Sequence, residues 1–526
     1  TLHPMRTLKK LPLTFLTTLM ILTSCSKEEE LNAISSKGKG VGSDTNSKSF
    51  QLVQNIEVPG GEEAAEISAF DPSTNKLFTV NSTIGGVSVY DISDLSTPVP
   101  AGTITGLGGA PTSVASNNEG VIAVAVEADP SQTPGSVLIY DAATLNQIGA
   151  VQVGSLPDMV TFTPDGTKIL VANEGEPSDD WQNDPEGSVS IIDYPSLNVN
   201  TADFSGFSFT PDLENNGFRV FGPQGVDLSL PKNVEPEFIA VSDDSKTAWV
   251  SLQENNGLAK VDIQSSTIVD ILPLGFKDYN DPFNSIDPND RDDIKSLRTV
   301  PAFGMYQPDG IAYANIKGLE IIVTANEGDA RDYTAFKEEE RIEDIELDEM
   351  VFGDVATLLQ PENLGERLEI TNTLGDFNND EKFEELYSFG ARSFSIWSGN
   401  GELIYDSGND IAMQTLRLTP DRFNDDDGRS DAKGAEPESV AILQLRKNKW
   451  LLFVGLERND QVLVYDISNP YRPRFLQILS NIGVDEAPEG LLVVTAEDSP
   501  TGKPLLIVSN EDSGTVSIYQ NGGLDL

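Results

Sequence analysis

The sequence predicts an all-β chain, a seven-bladed β-propeller closed by an N-terminal strand, with long loop insertions on one face. Three observations predict it: a sevenfold repeat, the short strands within each repeat, and a mismatch between the two ends of the chain. The repeat opens where proline and a carboxylate, or at least one of them, lead into an apolar strand. Its copies are Ala65-Glu66-Ile67, Pro111-Thr112-Ser113-Val114, Pro157-Asp158-Met159-Val160, Pro236-Glu237-Phe238-Ile239, Pro308-Asp309-Gly310-Ile311, Pro437-Glu438-Ser439-Val440 and Pro488-Glu489-Gly490-Leu491. Such self-similarity marks architectures in which each unit buries its faces only by stacking on neighbours.

After each opening comes an apolar strand that ends in a polar or acidic residue, as in Val171-Ala172-Asn173-Glu174, Thr324-Ala325-Asn326-Glu327 and Val508-Ser509-Asn510-Glu511. A third strand alternates β-branched residues, as in Gly86-Val87-Ser88-Val89-Tyr90-Asp91 and Val462-Leu463-Val464-Tyr465-Asp466, the period-two signature of a sheet. A more polar fourth strand closes most units. Four short antiparallel strands repeated around a ring leave only short, protected edges. A two-domain β-sandwich is the competing reading. The last unit stops after its third strand, Thr515 to Tyr519, while Phe50 to Val58 is a strand without a partner. The two are expected to share one sheet and lock the ring, so the propeller domain spans residues 50–526.

The segment before it reads as an address. From Met5 a basic stretch, Met5-Arg-Thr-Leu-Lys-Lys, precedes an apolar run from Leu11 to Leu22, which is too short to span a bilayer. Leu22-Thr23-Ser24-Cys25 looks like a lipobox, which makes residues 1–24 a lipoprotein signal segment and Cys25 the lipidated residue. A secretory signal with an incidental cysteine is the plainer alternative. Ser26-Lys27-Glu28-Glu29-Glu30 is similar to the tag that sends some bacterial lipoproteins to the outer face of the outer membrane. Residues 25–49, rich in Ser, Gly and Lys, then form a flexible tether. The expected location is the outer membrane, lipid-anchored and exposed at the cell surface.

Composition narrows the chemistry. The sole histidine is His3 and the sole cysteine is Cys25. The domain therefore has no disulfide, no zinc site of the usual nitrogen and sulfur type, and no Cys/His or Ser/His/Asp nucleophile. Its carboxylates and amides favour hard divalent cations, Ca²⁺ first. The 84 Asp and Glu outnumber 35 Lys and Arg, for a net charge of −49, which argues against nucleic acid as a partner. Solubility alone can account for an acidic surface; converging carboxylates would mean more.

They are expected to converge. The first two strands of a unit run antiparallel, so the start of one and the end of the other meet at the same rim. One set is Glu66, Asp158, Glu237, Asp309, Glu438 and Glu489; the other is Glu127, Glu174, Glu254, Glu327, Glu457 and Glu511. Such a ring needs bound cations, Arg or Lys partners, or raised pKa values. It could also serve only to accept hydrogen bonds from neighbouring loops. Insertions at residues 176–187, 276–300, 328–390 and 421–434 fall at the same rim. Asp376, Asn378 and Asp380, with Glu384 or Glu385, space oxygens like a Ca²⁺ loop, but Glu381 stands where an EF-hand needs glycine. Asn424-Asp425-Asp426-Asp427-Gly428 is a second candidate, and a solvated acidic turn is the bland reading of both. Glu338 to Leu364 reads as a solvated, partly helical cap.

Val171-Ala-Asn-Glu-Gly-Glu-Pro177, Asp184-Pro-Glu-Gly-Ser-Val189, Gly304-Met-Tyr-Gln-Pro-Asp309, Thr324-Ala-Asn-Glu-Gly-Asp-Ala-Arg331, Gly390-Ala-Arg-Ser-Phe-Ser-Ile396 and Arg429-Ser-Asp-Ala-Lys-Gly434 with Glu436-Pro-Glu438 resemble the choice-of-anchor I family over nearly all of residues 50–526. The resemblance implies an extracellular propeller. The family's relatives include mesenchyme-specific cell-surface glycoproteins and atypical proteins labelled alkaline phosphatase.

Two functions follow as expectations. The first is a Ca²⁺-stabilised surface module that binds an unknown extracellular ligand through its acidic face. The second is a metal-dependent phosphoesterase. Glu174, Asp309, Glu327 and Glu438 would hold the cation, and Arg331, Arg392, Arg429 and Lys433 would neutralise phosphate unless they pair with the acidic ring. The first is favoured because no nucleophile or general base stands out.

Overall fold

The computed structural model describes residues 49–359 and 365–523. The signal segment, Cys25 and most of the tether lie outside them.

The described residues form an all-β propeller that contains seven four-stranded antiparallel sheets. The first sheet comprises Ser68–Asp71, Lys76–Asn81, Gly86–Asp91 and Val99–Ile104. The second comprises Pro111–Ser116, Val121–Val126, Pro134–Asp141 and Gln147–Ser155, and the third Pro157–Phe162, Lys168–Asn173, Ser188–Asp193 and Asn198–Asp203. The fourth comprises Pro236–Val241, Thr247–Leu252, Gly257–Asp262 and Thr267–Pro273, and the fifth Ile311–Ile316, Leu319–Asn326, Ser393–Ser398 and Leu403–Asp406. The sixth comprises Pro437–Arg446, Lys449–Leu456, Gln461–Asp466 and Arg474–Leu479. The seventh joins Pro488–Val494, Leu505–Asn510 and Thr515–Asn521 to Phe50–Glu57, which pairs from Phe50 with Asn521 to Glu57 with Thr515.

Second strands such as Val121–Val126 are apolar on both faces because each sheet is covered on both faces. The apolar clusters show how. One joins Phe78 and Val80 of the first sheet to Val124 and Tyr140 of the second, and others join the third to the fourth and the fifth to the sixth. The last joins Leu505 and Ile507 of the seventh back to Phe70 and Leu77 of the first. Each fully buried Val, Leu, Ile or Phe contributes about 1.5–3 kcal/mol. The first strands also touch in sequence order, and that of the seventh sheet reaches that of the first.

The connections between second and third strands, and from each fourth strand to the next sheet, lie at one rim. The long insertions occupy these connections. Part of the insertions has its own core of Tyr279, Ile286, Val300, Ile342, Leu368 and Phe383. The acidic run beginning at Glu338 is therefore not simply a solvated cap. Glu338 is fully buried and paired with Arg219. Short strands Glu339–Arg341 and Glu346–Leu347 precede one-turn helices Glu349–Phe352 and Ala356–Leu359. The apolar residues Ile342, Leu347 and Phe352 that punctuate the acidic run are what fold it inward.

Candidate functional site

The first strands enclose a cavity of about 790 Å³ whose wall is acidic. It carries all six strand-start carboxylates, Glu66, Asp158, Glu237, Asp309, Glu438 and Glu489, and from the strand-end set Glu127, Glu174, Glu254 and Glu511.

A repeated backbone device places four of the strand-start carboxylates there, Asp158, Glu237, Glu438 and Glu489. Pairing between the first two strands slips at Pro111/Ser113, Pro157/Met159, Pro236/Ile239, Pro437/Val440 and Pro488/Gly490. The residue just after each proline is thus left out of the ladder, and such a bulge re-aims a side chain. In four units the residue before the proline has positive φ: Leu156 at 45°, Gln307 at 40°, Glu436 at 48° and Ala487 at 54°. The strand-end set is fixed by asparagine. Asn173 Nδ2 donates to Ser190 Oγ at 3.0 Å, Asn326 Nδ2 to Ser395 Oγ at 2.8 Å, and Asn510 Nδ2 to Thr515 Oγ1 at 3.1 Å. Each ties the second strand to the third, and the next residue is the glutamate.

Burial disfavours charge here, and mutual repulsion adds to it. Burial pushes Glu66 and Asp158 up to about 7 and Glu327 up to about 8, and it drives Glu174, Glu237, Glu438 and Glu489 well above the usual carboxylate range. Beyond burial, the Glu438 carboxyl beside Asp309 offsets part of the rise of Asp309 while Asp309 adds to that of Glu438, and Glu237 likewise offsets part of the rise of Glu254.

Asp309, Glu327 and Glu438 each bring an oxygen to within 4.8 Å of the other two, a spacing that one divalent cation could bridge. Glu174 stands instead with Asp158 and Glu254. Glu327 has two further neighbours: Gln253 Nε2 donates to its Oε2 at 2.8 Å, and Lys433 Nζ lies 2.7 Å from its Oε1. Lys433 also reaches Asp329 at 3.3 Å and Glu436 at 3.9 Å.

The arginines have other work. Arg331, wholly buried, lies 2.9 Å from Glu235 and donates to the carbonyls of Phe221 at 2.7 Å and Asn233 at 2.8 Å. Arg392 donates to the carbonyls of Asp287 at 2.8 Å, Ser430 at 2.9 Å and Ala432 at 2.5 Å. Arg331 ties its insertion to the connection that leads into the fourth sheet, and Arg392, beside the strand Ser393–Ser398, holds two further connections. Arg429 Nε lies 2.7 Å and Arg458 Nε 3.3 Å from Glu436. Against the burial that would raise it, Lys433, Arg429 and Arg458 hold Glu436 below the usual range.

A profile of the Choice-of-anchor I domain matches residues 66–470, which take in the first five sheets and three strands of the sixth. The chain belongs to the choice-of-anchor I family. Curated relatives are Gigasin-3a of Magallana gigas, 32% identical over 176 residues, and the Mesenchyme-specific cell surface glycoprotein of Strongylocentrotus purpuratus, 26% identical over 333 residues. The alignments cover 28% and 56% of this chain, and 61% and 41% of those relatives. Among solved structures, Kuenenia stuttgartiensis hydrazine synthase superposes with a TM-score of 0.46 at 12% identity, covering 92% of this chain and 99% of that one. The β-propeller domain of Myceliophteria thermophila Cps50 (Swd1) superposes with a TM-score of 0.45 at 9% identity, covering 89% and 99%.

In this choice-of-anchor I domain the Asp376 loop closes on itself. Asp376 accepts from the backbone of Asp380 at 3.2 Å and of Glu381 at 2.9 Å, and Glu384 accepts from the backbone of Phe377 at 2.8 Å. Asp376, Asp380 and Glu384 lie within 4.8 Å of one another, whereas the Asn378 amide donates to Glu384. Glu381 takes φ 67°, the left-handed conformation for which glycine is the usual residue. Asn424 to Asp427 all have positive φ. Their side chains are partly used: Asn424 donates to Ser430 and Asp427 accepts from it, while Lys295 pairs with Asp426. Sequence reasoning missed Glu235, Glu436 and Asp329. Glu436 sits in the same Glu436-Pro-Glu438 motif as Glu438, two positions apart, and that adjacency was its signal.

Proposed function

We propose that the chain is a lipid-anchored, cell-surface binding module of the outer membrane. Its seven sheets are the blades of one closed ring, and Asp309, Glu327 and Glu438 hold a divalent cation, Ca²⁺, that stabilises the acidic face for an extracellular partner. The observation that carries this reading is the approach of those three carboxylates, two of which, Asp309 and Glu438, line the cavity. They are hard oxygen donors, and water would fill the rest of a Ca²⁺ shell of six to eight oxygens. Lys433 supplies a single positive charge there in the meantime, and Asp329 and Glu436 can take its ammonium when the ion enters. A relative named as a cell surface glycoprotein fits the location. The arginines that a phosphoesterase would use on phosphate, Arg331 and Arg392, are committed to Glu235 and to backbone carbonyls.

Calorimetric titration of the full chain with CaCl₂ tests the site. Glu438→Gln and Glu327→Gln should each weaken binding at least tenfold, about 1.4 kcal/mol, while melting cooperatively. No calcium binding by the parent would remove the proposal. Cys25→Ala tests the anchor. The variant should leave the membrane fraction or stay unprocessed, since the apolar run is too short to hold once cleaved; a processed, membrane-bound variant would rule out lipidation at Cys25.

A further inference from the structure

We propose, on the footing of the lipid anchor at Cys25, that the corner of the sixth sheet carrying Lys447, Lys449, Arg472 and Arg474 docks on the anionic headgroups of the membrane holding that anchor. The acidic cavity then faces away from the bilayer.

The corner contrasts with a chain of net charge −49. Two turns build it, Arg446 to Lys449 between the first and second strands and Asp466 to Arg474 between the third and fourth. Lys317 of the fifth sheet joins them by donating to the Ser468 carbonyl at 3.2 Å. Asp466 is the acid of these turns, and it takes Arg474 at 3.1 Å and Lys449 at 4.0 Å. Among the described residues Lys447 and Arg472, both exposed, have no acidic partner. Glu320, Glu402, Glu497 and Asp498 lie at the same rim of the two neighbouring sheets, so the positive patch is local. Tyr471, 61% exposed, stands between Pro470 and Pro473. The prolines fix their own φ, so the turn presents an amphipathic ring beside two guanidinium groups, a pairing suited to the headgroup layer.

Topology aims the same corner at the membrane. The chain enters the propeller at Phe50, and both backbone groups of Phe50 are held by Gln477, on the strand that Arg474 begins. From Arg474 to Gln477 that strand spans about 10 Å. The anchored end of the chain therefore joins the domain beside the patch, at the rim opposite the carboxylates. Strand Lys449–Leu456 separates the two rims by about 25 Å, against a Debye length of about 8 Å at physiological salt. The acidic rim is thus screened from the corner, while an anionic surface repels it and turns it outward. Each Lys or Arg close to such a surface strengthens contact about fivefold. The anchor supplies residence in the membrane, so the patch has only to set orientation.

The test exploits the sole cysteine, Cys25, which is capped once lipidated. Asn448→Cys, on the exposed turn of the patch, or Asp512→Cys, exposed at the opposite rim, then carries a fluorophore on the single free thiol. The full, anchored chain is reconstituted in vesicles of phosphatidylcholine with about 30% phosphatidylglycerol, or of phosphatidylcholine alone, each with a headgroup-linked quencher. On the anionic vesicles the Asn448→Cys label should be quenched at least threefold more than the Asp512→Cys label. Combining Lys447→Gln with Arg472→Gln, neither of which holds an acid, should bring that ratio below about 1.5 without changing the circular dichroism melt, and so should about 0.5 M NaCl. Equal quenching at the two positions, or the same ratio on uncharged vesicles, overturns the docking. Shielding of the Asn448→Cys label that grows with protein concentration in detergent, without lipid, overturns it in favour of the acidic face of a second copy. A chain that enters neither vesicle removes the anchor and the docking together.

Discussion

Deleting Phe50 to Glu57 should cost the protein its cooperative fold. Those residues are the fourth strand of the seventh sheet, paired along Thr515 to Asn521. Phe50, 2% exposed, sets its ring 5.1 Å from Phe453 of the sixth sheet, and Ile56, 7% exposed, packs with Val516 and Ile518. Gln477 of the sixth sheet holds both backbone groups of Phe50, at 3.0 and 3.1 Å. Two buried apolar side chains are worth about 1.5–3 kcal/mol each, and each ladder hydrogen bond adds roughly 0.5–1.5. The total approaches the 5–15 kcal/mol, roughly, that hold an ordinary domain together. The deletion also bares the edge of Thr515 to Asn521, a template for aggregation. Circular dichroism melts should show a lost or broadened transition, and size-exclusion chromatography should show association. A Phe50 to Val58 peptide added in trans should restore part of the melt by strand addition. A deletion variant that melts within about 2 °C of the parent would mean that ring closure does not depend on this strand.

That closure was legible because the repeat and the chain ends are written in strand-length apolar runs. Every opening motif precedes or starts a first strand, and Phe50 to Glu57 pairs where the unfinished last unit needs it. The convergence of Glu66, Asp158, Glu237, Asp309, Glu438 and Glu489 was also legible, since position within a repeat fixes position around a ring. What the sequence could not display was which carboxylates meet across sheets. Glu174 and Glu327 close the same motif, Ala-Asn-Glu, yet one faces Asp158 and Glu254 while the other faces Asp309 and Glu438. Nor could it separate Arg331, whose fork is filled by Glu235 and two carbonyls, from Lys433, whose ammonium reaches Glu327. Each of these pairs joins an insertion to a residue about a hundred positions away, and insertions carry no repeat phase. The bulges that aim the acidic side chains are likewise backbone events, and their only trace is the proline before them.

Stripped of divalent cations, the protein should melt higher at pH 6 than at pH 8.5. The sign follows from burial. Asp158 and Glu66 are pushed up to about 7 in the folded state, and Glu327 to about 8, from ordinary values of 3.8 and 4.5. Between those ordinary values and pH 7 to 8 the folded chain binds protons that the unfolded chain has released. Stability therefore falls as pH rises through that window. The contribution is fully present below the unfolded values and is lost by pH 8.5, when the cavity carboxylates are ionised against one another. Glu436 acts the other way, being held low by Lys433, Arg429 and Arg458, but its loss belongs to more acidic conditions than pH 6. In excess EDTA at fixed ionic strength the midpoint should drop by about 5 °C from pH 6 to 8.5, a scale set by the unfolding entropy of a large domain. Calcium should reverse the trend, because an ion that binds only the ionised, folded cavity stabilises most where protons have already left. Its shift should be larger at pH 8.5 than at pH 6, and Glu438→Gln should shrink it. A metal-free midpoint that rises with pH, or a calcium shift equal at both values, would mean that the ring carries its charge on Lys, Arg and backbone donors without needing protons or ions.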